Sequence, residues 1–104
     1  MAEEQVVVEL PEYELIYILH PDMDEDSILA LNERVSELIA GQEGSVLTTE
    51  LWGKRTLAYP IKKLFEGHYI LHRLQMPPAA TAEVERLLRF NENVIRYLIV
   101  RTDE

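Results

Sequence analysis

From Tyr13 to Leu19 (YELIYIL) apolar side chains occupy both alternating sets, with Leu15, Tyr17 and Leu19 on one side and Ile16 and Ile18 on the other. A strand that is apolar on both faces is covered on both, so this segment predicts a central strand. His20-Pro21-Asp22 ends it, because proline lacks a backbone donor and restrains the residue before it. The period then changes. Ile28, Leu31, Val35 and Leu38 recur at helical spacing, while Asn32, Glu33 and Glu37 turn away. Asp24 is the expected N-cap, Glu25 and Asp26 suit the positive end of the helix dipole, and Gly41 and Gly44 are stop signals. Ser45 to Tyr59 is extended with poor alternation, interrupted at Gly53 and closed by Pro60, which predicts an edge strand with a bulge or bend. Ile61 to Gly67 is expected as a hairpin connection and His68 to Met76 as the next strand. Beyond Pro77-Pro78, Val84, Leu87 and Leu88 form the stripe of a second helix beginning near Ala80. Asn91 to Asn93 then turns the chain into a last strand, Val94 to Thr102.

The order β-α-β-β-α-β is that of a ferredoxin-like α+β sandwich. It predicts a four-stranded antiparallel sheet, order 4-1-3-2, with two helices on one face. If Leu15, Tyr17, Leu19, Ile70, Leu74 and Tyr97 face the helices, the uncovered face carries Ile16, Ile18, Tyr69, Leu71, Leu98 and Val100. An apolar face left in water predicts a partner. A slip of one residue would exchange the two faces.

The length of 104 residues fits one domain, expected over 13–104 behind an acidic, flexible extension at 1–12 (Glu3, Glu4, Glu9, Glu12). The extension has acid where a signal peptide is basic, and no stretch has the roughly 18 apolar residues of a membrane span, so a cytoplasmic location without membrane contact is expected. The net charge of −9 hides an asymmetry: residues 1–50 hold 13 acids and one base, and residues 51–104 hold 6 acids and 9 bases. Such a chain can offer a basic surface to one partner and an acidic surface to another, although the acids also read simply as a solvated face.

Enzyme chemistry is hard to assemble from these residues. There is no cysteine, and four glycines form no phosphate-cradling loop. His68 and His72 stand at helical metal spacing but on a strand, where four residues span roughly 13 Å. The histidines are therefore expected as isolated surface or core-edge residues, with no metal, cofactor or small-molecule substrate. The loop His20 to Asp24 is acidic and would repel a phosphate.

The chemistry concentrates instead in Lys54, Arg55, Lys62 and Lys63, interleaved with Trp52 and Tyr59. Cations beside aromatics at a bend and a hairpin tip suit RNA phosphates and unstacked bases. Lysines on an edge strand also discourage aggregation, and charge alone does not separate the two readings.

Trp52-Gly53-Lys54-Arg55-Thr56-Leu57-Ala58-Tyr59-Pro60-Ile61-Lys62-Lys63 resembles the signature of bacterial small-subunit ribosomal protein S-six. The resemblance continues through Tyr13-Glu14, the Asp24-led helix, His68-Tyr69 and Asn91-Glu92-Asn93-Val94-Ile95-Arg96, covering about residues 13–102. It implies a non-catalytic constituent of the 30S ribosomal subunit, monomeric when free. Its implied partners are the central domain of 16S rRNA, bound cooperatively with the basic ribosomal protein S-eighteen. Lys54 and Arg55 match the family's basic pair and are the expected RNA contacts, followed by Lys62, Lys63 and Arg96. The protein partner is expected on Ile16, Ile18, Tyr69, Leu71, Arg73, Leu98 and Val100. Family members usually begin near the strand-opening tyrosine, so the acidic extension here is a departure. Two other readings fit the element order: single-strand recognition by the sheet, as in RNA recognition motifs, and a small-molecule-sensing domain that dimerises through its open face. The first is weakened because Glu66-Gly67-His68-Tyr69-Ile70-Leu71 supplies only one of the aromatics that such sheets use.

Overall fold

The computed structural model describes residues 10–102. The elements run β1 (Glu12–Leu19), α1 (Glu25–Gly41), β2 (Ser45–Ile61), β3 (Leu64–Gln75), α2 (Ala80–Arg89) and β4 (Val94–Arg101). They form the expected ferredoxin-like sandwich: one sheet of order β2-β3-β1-β4, with every neighbouring pair antiparallel. β1 starts at Glu12, and Pro11 accepts from the backbone of Met76. Residues 1–9 of the predicted extension lie outside the described residues.

The central position of β1 follows from its two apolar faces. Tyr13, Leu15, Tyr17 and Leu19 pack with Ile70, Leu74 and the helix residues Ile28, Leu31, Val35, Ile39, Val84 and Leu88. Full burial of a leucine such as Leu15 or Leu74 contributes roughly 2 kcal/mol, which is why this face is committed to the helices.

Asp24 Oδ1 accepts from the backbone of Ser27 at 2.8 Å, capping α1 as expected. Hydrogen bonding from Ser27, its side chain first and then its backbone, holds the Asp24 carboxyl below the usual carboxylate range. The helix ends differently from the sequence reading. Neither Gly41 nor Gly44 is left-handed; Glu43 is, at φ 67°. The backbone N–H of Gly44 closes on Ile39 O at 2.9 Å and that of Glu43 on Ala40 O at 3.1 Å, a Schellman end. Gly44 is required for a different reason: a Cβ there would lie 2.4 Å from Gln75 O.

The hairpin is the main correction. Ile61 to Gly67 is not a loose connection; Ile61 pairs with Leu64 across a two-residue turn, Lys62-Lys63, with both residues left-handed at φ 53° and 66°. Nor does Pro60 end β2. Between the pairs Thr56–Glu66 and Ile61–Leu64, four residues of β2 (57–60) face only Phe65, so Leu57-Ala58-Tyr59-Pro60 is a wide bulge. Proline is tolerated there because no ladder bond is asked of it. A second irregularity sits at the predicted place, between Leu51 and Gly53, where Gly53 takes φ 83°.

The bulge bends the hairpin over one end of the uncovered face. Leu57 meets Ile18 and Ile95 in a second small core, with Ile61, Leu64 and Tyr69 around it. Gly67 permits this approach, since a Cβ there would stand 2.4 Å from Ile18 Cγ2 and 3.0 Å from Leu19 O.

Candidate nucleic-acid and protein interface

The bulge carries Tyr59 from one edge strand to the other. Its hydroxyl accepts from Arg96 Nη1 at 2.6 Å, and the Arg96 guanidinium lies 5.7 Å from the centre of its ring. Arg96 thereby joins Lys62 of the turn in a cleft of about 280 Å³ that also takes in Arg89, at the end of α2. Lys62, Lys63, Arg89 and Arg96 are all exposed. The structure thus brings Lys62 and Arg96 together although 34 positions separate them in sequence. Arg89 was missed by sequence reasoning because as part of α2 it reads only as a last-turn cation serving the helix dipole.

Lys54 and Arg55 do not share a face of the sheet. Lys54 stands opposite His68 and Arg55 opposite Gly67, so the two side chains leave opposite faces of the sheet. Arg55 lies on the uncovered face, 5.4 Å from the centre of the Trp52 ring, and its Nε donates to Trp52 O at 3.3 Å. Trp52 in turn stacks on Tyr69, with centroids 6.1 Å apart and planes 9° from parallel, while its indole N–H donates to Glu50. Arg55, Trp52 and Tyr69 form one ladder of cation and aromatic rings on that face.

The face predicted for a protein partner is smaller than expected. Ile18 and Leu71 are buried within the chain itself, at 8% and 6% exposure, so neither offers contact area. Leu98 and Val100 are exposed, at 56% and 44%, and Ile16 and Tyr69 are half-buried. Arg73 is exposed and pairs with Glu14 at 3.5 Å. An open apolar cleft of about 180 Å³ runs between β1 and β4, lined by Ile16, Ile18, Tyr97 and Leu98 and closed at one side by Arg96. Arg96 therefore borders both the basic and the apolar cleft.

The histidines separate as well. His20 lies by Asp22, His68 Nε2 is 3.2 Å from Pro21 O, and His72 is fully buried rather than at the core edge. His72 contacts Tyr17 and Thr49, and burial lowers its pKa to about 4, so it is neutral near pH 7. Among the described residues no group of three or more acids and histidines is placed to hold a metal ion. Among the described residues no helix is long and apolar enough to cross a membrane.

The sequence model of a family described as "Ribosomal protein S6" matches residues 12–101. The small ribosomal subunit protein bS6 of Caldanaerobacter subterraneus subsp. tengcongensis is 44% identical over 92 residues, 88% of this chain and 97% of that protein. The bS6 protein of Moorella thermoacetica is 38% identical over 92 residues, 88% of this chain and 94% of that one. Among solved structures, the 30S ribosomal protein S6 of Thermotoga maritima superposes with a TM-score of 0.85 at 29% identity, covering 90% of this chain and 89% of that chain.

Proposed function

The chain belongs to the ribosomal protein S6 family, and on that premise we propose that it holds the central domain of 16S rRNA cooperatively with the basic ribosomal protein S-eighteen. It is a structural, non-catalytic constituent of the small ribosomal subunit in the cytoplasm. The proposal concerns which surfaces do the work.

The observation that carries it is the junction at Arg96, where a basic cleft and an exposed apolar sheet face meet and share Arg96 and Tyr97. RNA backbone pairs with Lys62, Lys63 and Arg96 at the hairpin end, with Lys54 and Arg55 reaching it from the two faces of β2. The partner protein covers Ile16, Leu98, Val100 and the ladder around Tyr69, and pairs its positive charge with an acidic chain of net charge −9. An acidic protein gains little from RNA on its own, because long-range repulsion opposes approach. Neutralisation by a basic partner removes that penalty, which makes the two binding events cooperative. The free chain is a monomer on this reading.

A gel-shift titration on a central-domain rRNA fragment, with and without S-eighteen, tests the proposal. Much tighter retention with the partner is expected; equal retention without it refutes the cooperative assignment.

A further inference from the structure

We propose that the cleft between the end of α2, the start of β4 and the Lys62-Lys63 turn seats the sugar–phosphate backbone of RNA, with Arg89 as its third cation and Tyr59 as the residue that positions Arg96. The proposal rests on the rRNA-binding reading above and adds to it Arg89, which lies outside the basic stretch of the sequence, and a positioning role for Tyr59.

This cleft gathers three cations, where the cleft beside Phe90 and Asn91 holds two, Arg34 and Arg86. Lys62, Arg89 and Arg96 line it with no carboxylate among the lining residues. In the groove between the helices, by contrast, Arg34 and Arg86 sit with Glu37 and Glu83, so their field is largely cancelled. In a chain of net charge −9, three uncompensated cations around about 280 Å³ form a local positive site. Three separated cations suit the repeated charges of a nucleic-acid backbone better than one carboxylate. The apolar floor of Leu88 and Val94 offers room for a sugar between charges.

Tyr59 makes the site ready in advance. A free arginine loses side-chain freedom when it grips a ligand; Arg96 is already fixed by the Tyr59 hydroxyl and ring. That hydroxyl occupies one of five guanidinium donors and leaves the others to grip a phosphate. The bulge at 57–60 is what delivers the phenol, so the Leu-Ala-Tyr-Pro segment acts on the RNA through Arg96 rather than by contact.

The test uses the full chain with S-eighteen and a central-domain rRNA fragment, titrated from about 50 to 200 mM salt. Arg89→Gln is expected to weaken binding roughly five- to tenfold at the lower salt and to flatten the slope of log affinity against log salt by about 0.7 to 0.9. Tyr59→Phe is expected to weaken binding severalfold in the native chain and to have no further effect in an Arg96→Ala background. Arg89 is exposed, so its variant folds, and thermal melts verify this for all three variants. Unchanged affinity and slope for Arg89→Gln, with the native chain binding normally, overturns the cleft alone. An equal effect of Tyr59→Phe with and without Arg96 overturns the positioning role. Intact RNA binding with weakened S-eighteen binding by calorimetry overturns the proposal in favour of an acidic protein segment. If the native chain and its partner retain no RNA, the underlying reading falls and the cleft with it.

Discussion

The phenol oxygen of Tyr17 on β1 lies 2.6 Å from Nε2 of His72 on β3, inside the helix-facing core. Tyr17 also donates to Asn32 Oδ1 on α1, and Thr49 Oγ1 is 2.9 Å from His72 Nδ1. A phenol has one proton to give. Once it goes to Asn32, the proton in the second contact comes from His72 Nε2, and the Thr49 hydroxyl donates to Nδ1. With His72 neutral and protonated at Nε2, the chain of groups ties α1 to three strands. Asn32 Nδ2 is buried with no protein partner, which costs about 1–3 kcal/mol.

Acid sensitivity follows. Burial lowers the pKa of His72 to about 4 from the ordinary 6.5, so below about pH 6.5 the unfolded chain binds a proton that the folded chain refuses. The stabilisation is complete above pH 6.5 and declines as pH falls toward 4, by about 3 kcal/mol at most. Urea titrations across this window, compared with His72→Leu, isolate the contribution. The difference between the two proteins should shrink as pH falls; a difference independent of pH refutes the assignment.

Gly67→Ala is expected to destabilise the fold by about 1–3 kcal/mol, because the new methyl meets Ile18 Cγ2 at 2.4 Å and the backbone oxygen of Leu19 at 3.0 Å. Adding Ile18→Ala removes the first clash but not the second. Thermal denaturation should therefore show that the Gly67→Ala cost is smaller in the Ile18→Ala background than in the native chain.

Trp52 is the single tryptophan and sits on the uncovered face against Tyr69 and Arg55. On the proposed division of surfaces, binding of S-eighteen without RNA shifts its fluorescence to shorter wavelength as water leaves the ring. An unchanged spectrum at saturation would remove the Trp52 ladder from the protein interface.

Lys54 and Arg55 are expected to part company in function. Arg55→Ala should weaken S-eighteen in calorimetry without RNA, since Arg55 shares a face with Tyr69 and packs on Trp52. Lys54→Glu should leave that affinity within twofold and weaken only the complex containing RNA. Equal effects on the protein partner contradict the division by face.

Period and punctuation made the fold legible. β1 announced its central place by two apolar faces, and Asp24 announced the start of α1 by its acidic first turn. The end of α1 was not legible, because Glu43 holds a conformation usually left to glycine and Gly44 serves close packing. The hairpin was misjudged for a related reason: Lys62-Lys63 carries none of the Asn-Gly chemistry that marks a two-residue turn. Of the site, the cations of the basic stretch were visible as charge. Their grouping was not. Arg89 and Arg96 reach that stretch only because the bulge at 57–60 folds the hairpin across the sheet, which no local pattern signals. The burial of Ile18 was hidden for the same reason, since alternation assigns a face but not what later closes over it.

The left-handed lysines of the turn have a consequence for motion. L-residues pay of order 1 kcal/mol each for that backbone geometry, so Lys62 and Lys63 are the costliest link of the hairpin while the bulge beside them contributes no ladder bonds. Opening of the sheet to amide exchange should then begin at the tip and stop where Leu57 meets Ile18, long before the central strands unzip. The end of the molecule that carries the charge is thus also the end that can reshape itself without unfolding the rest.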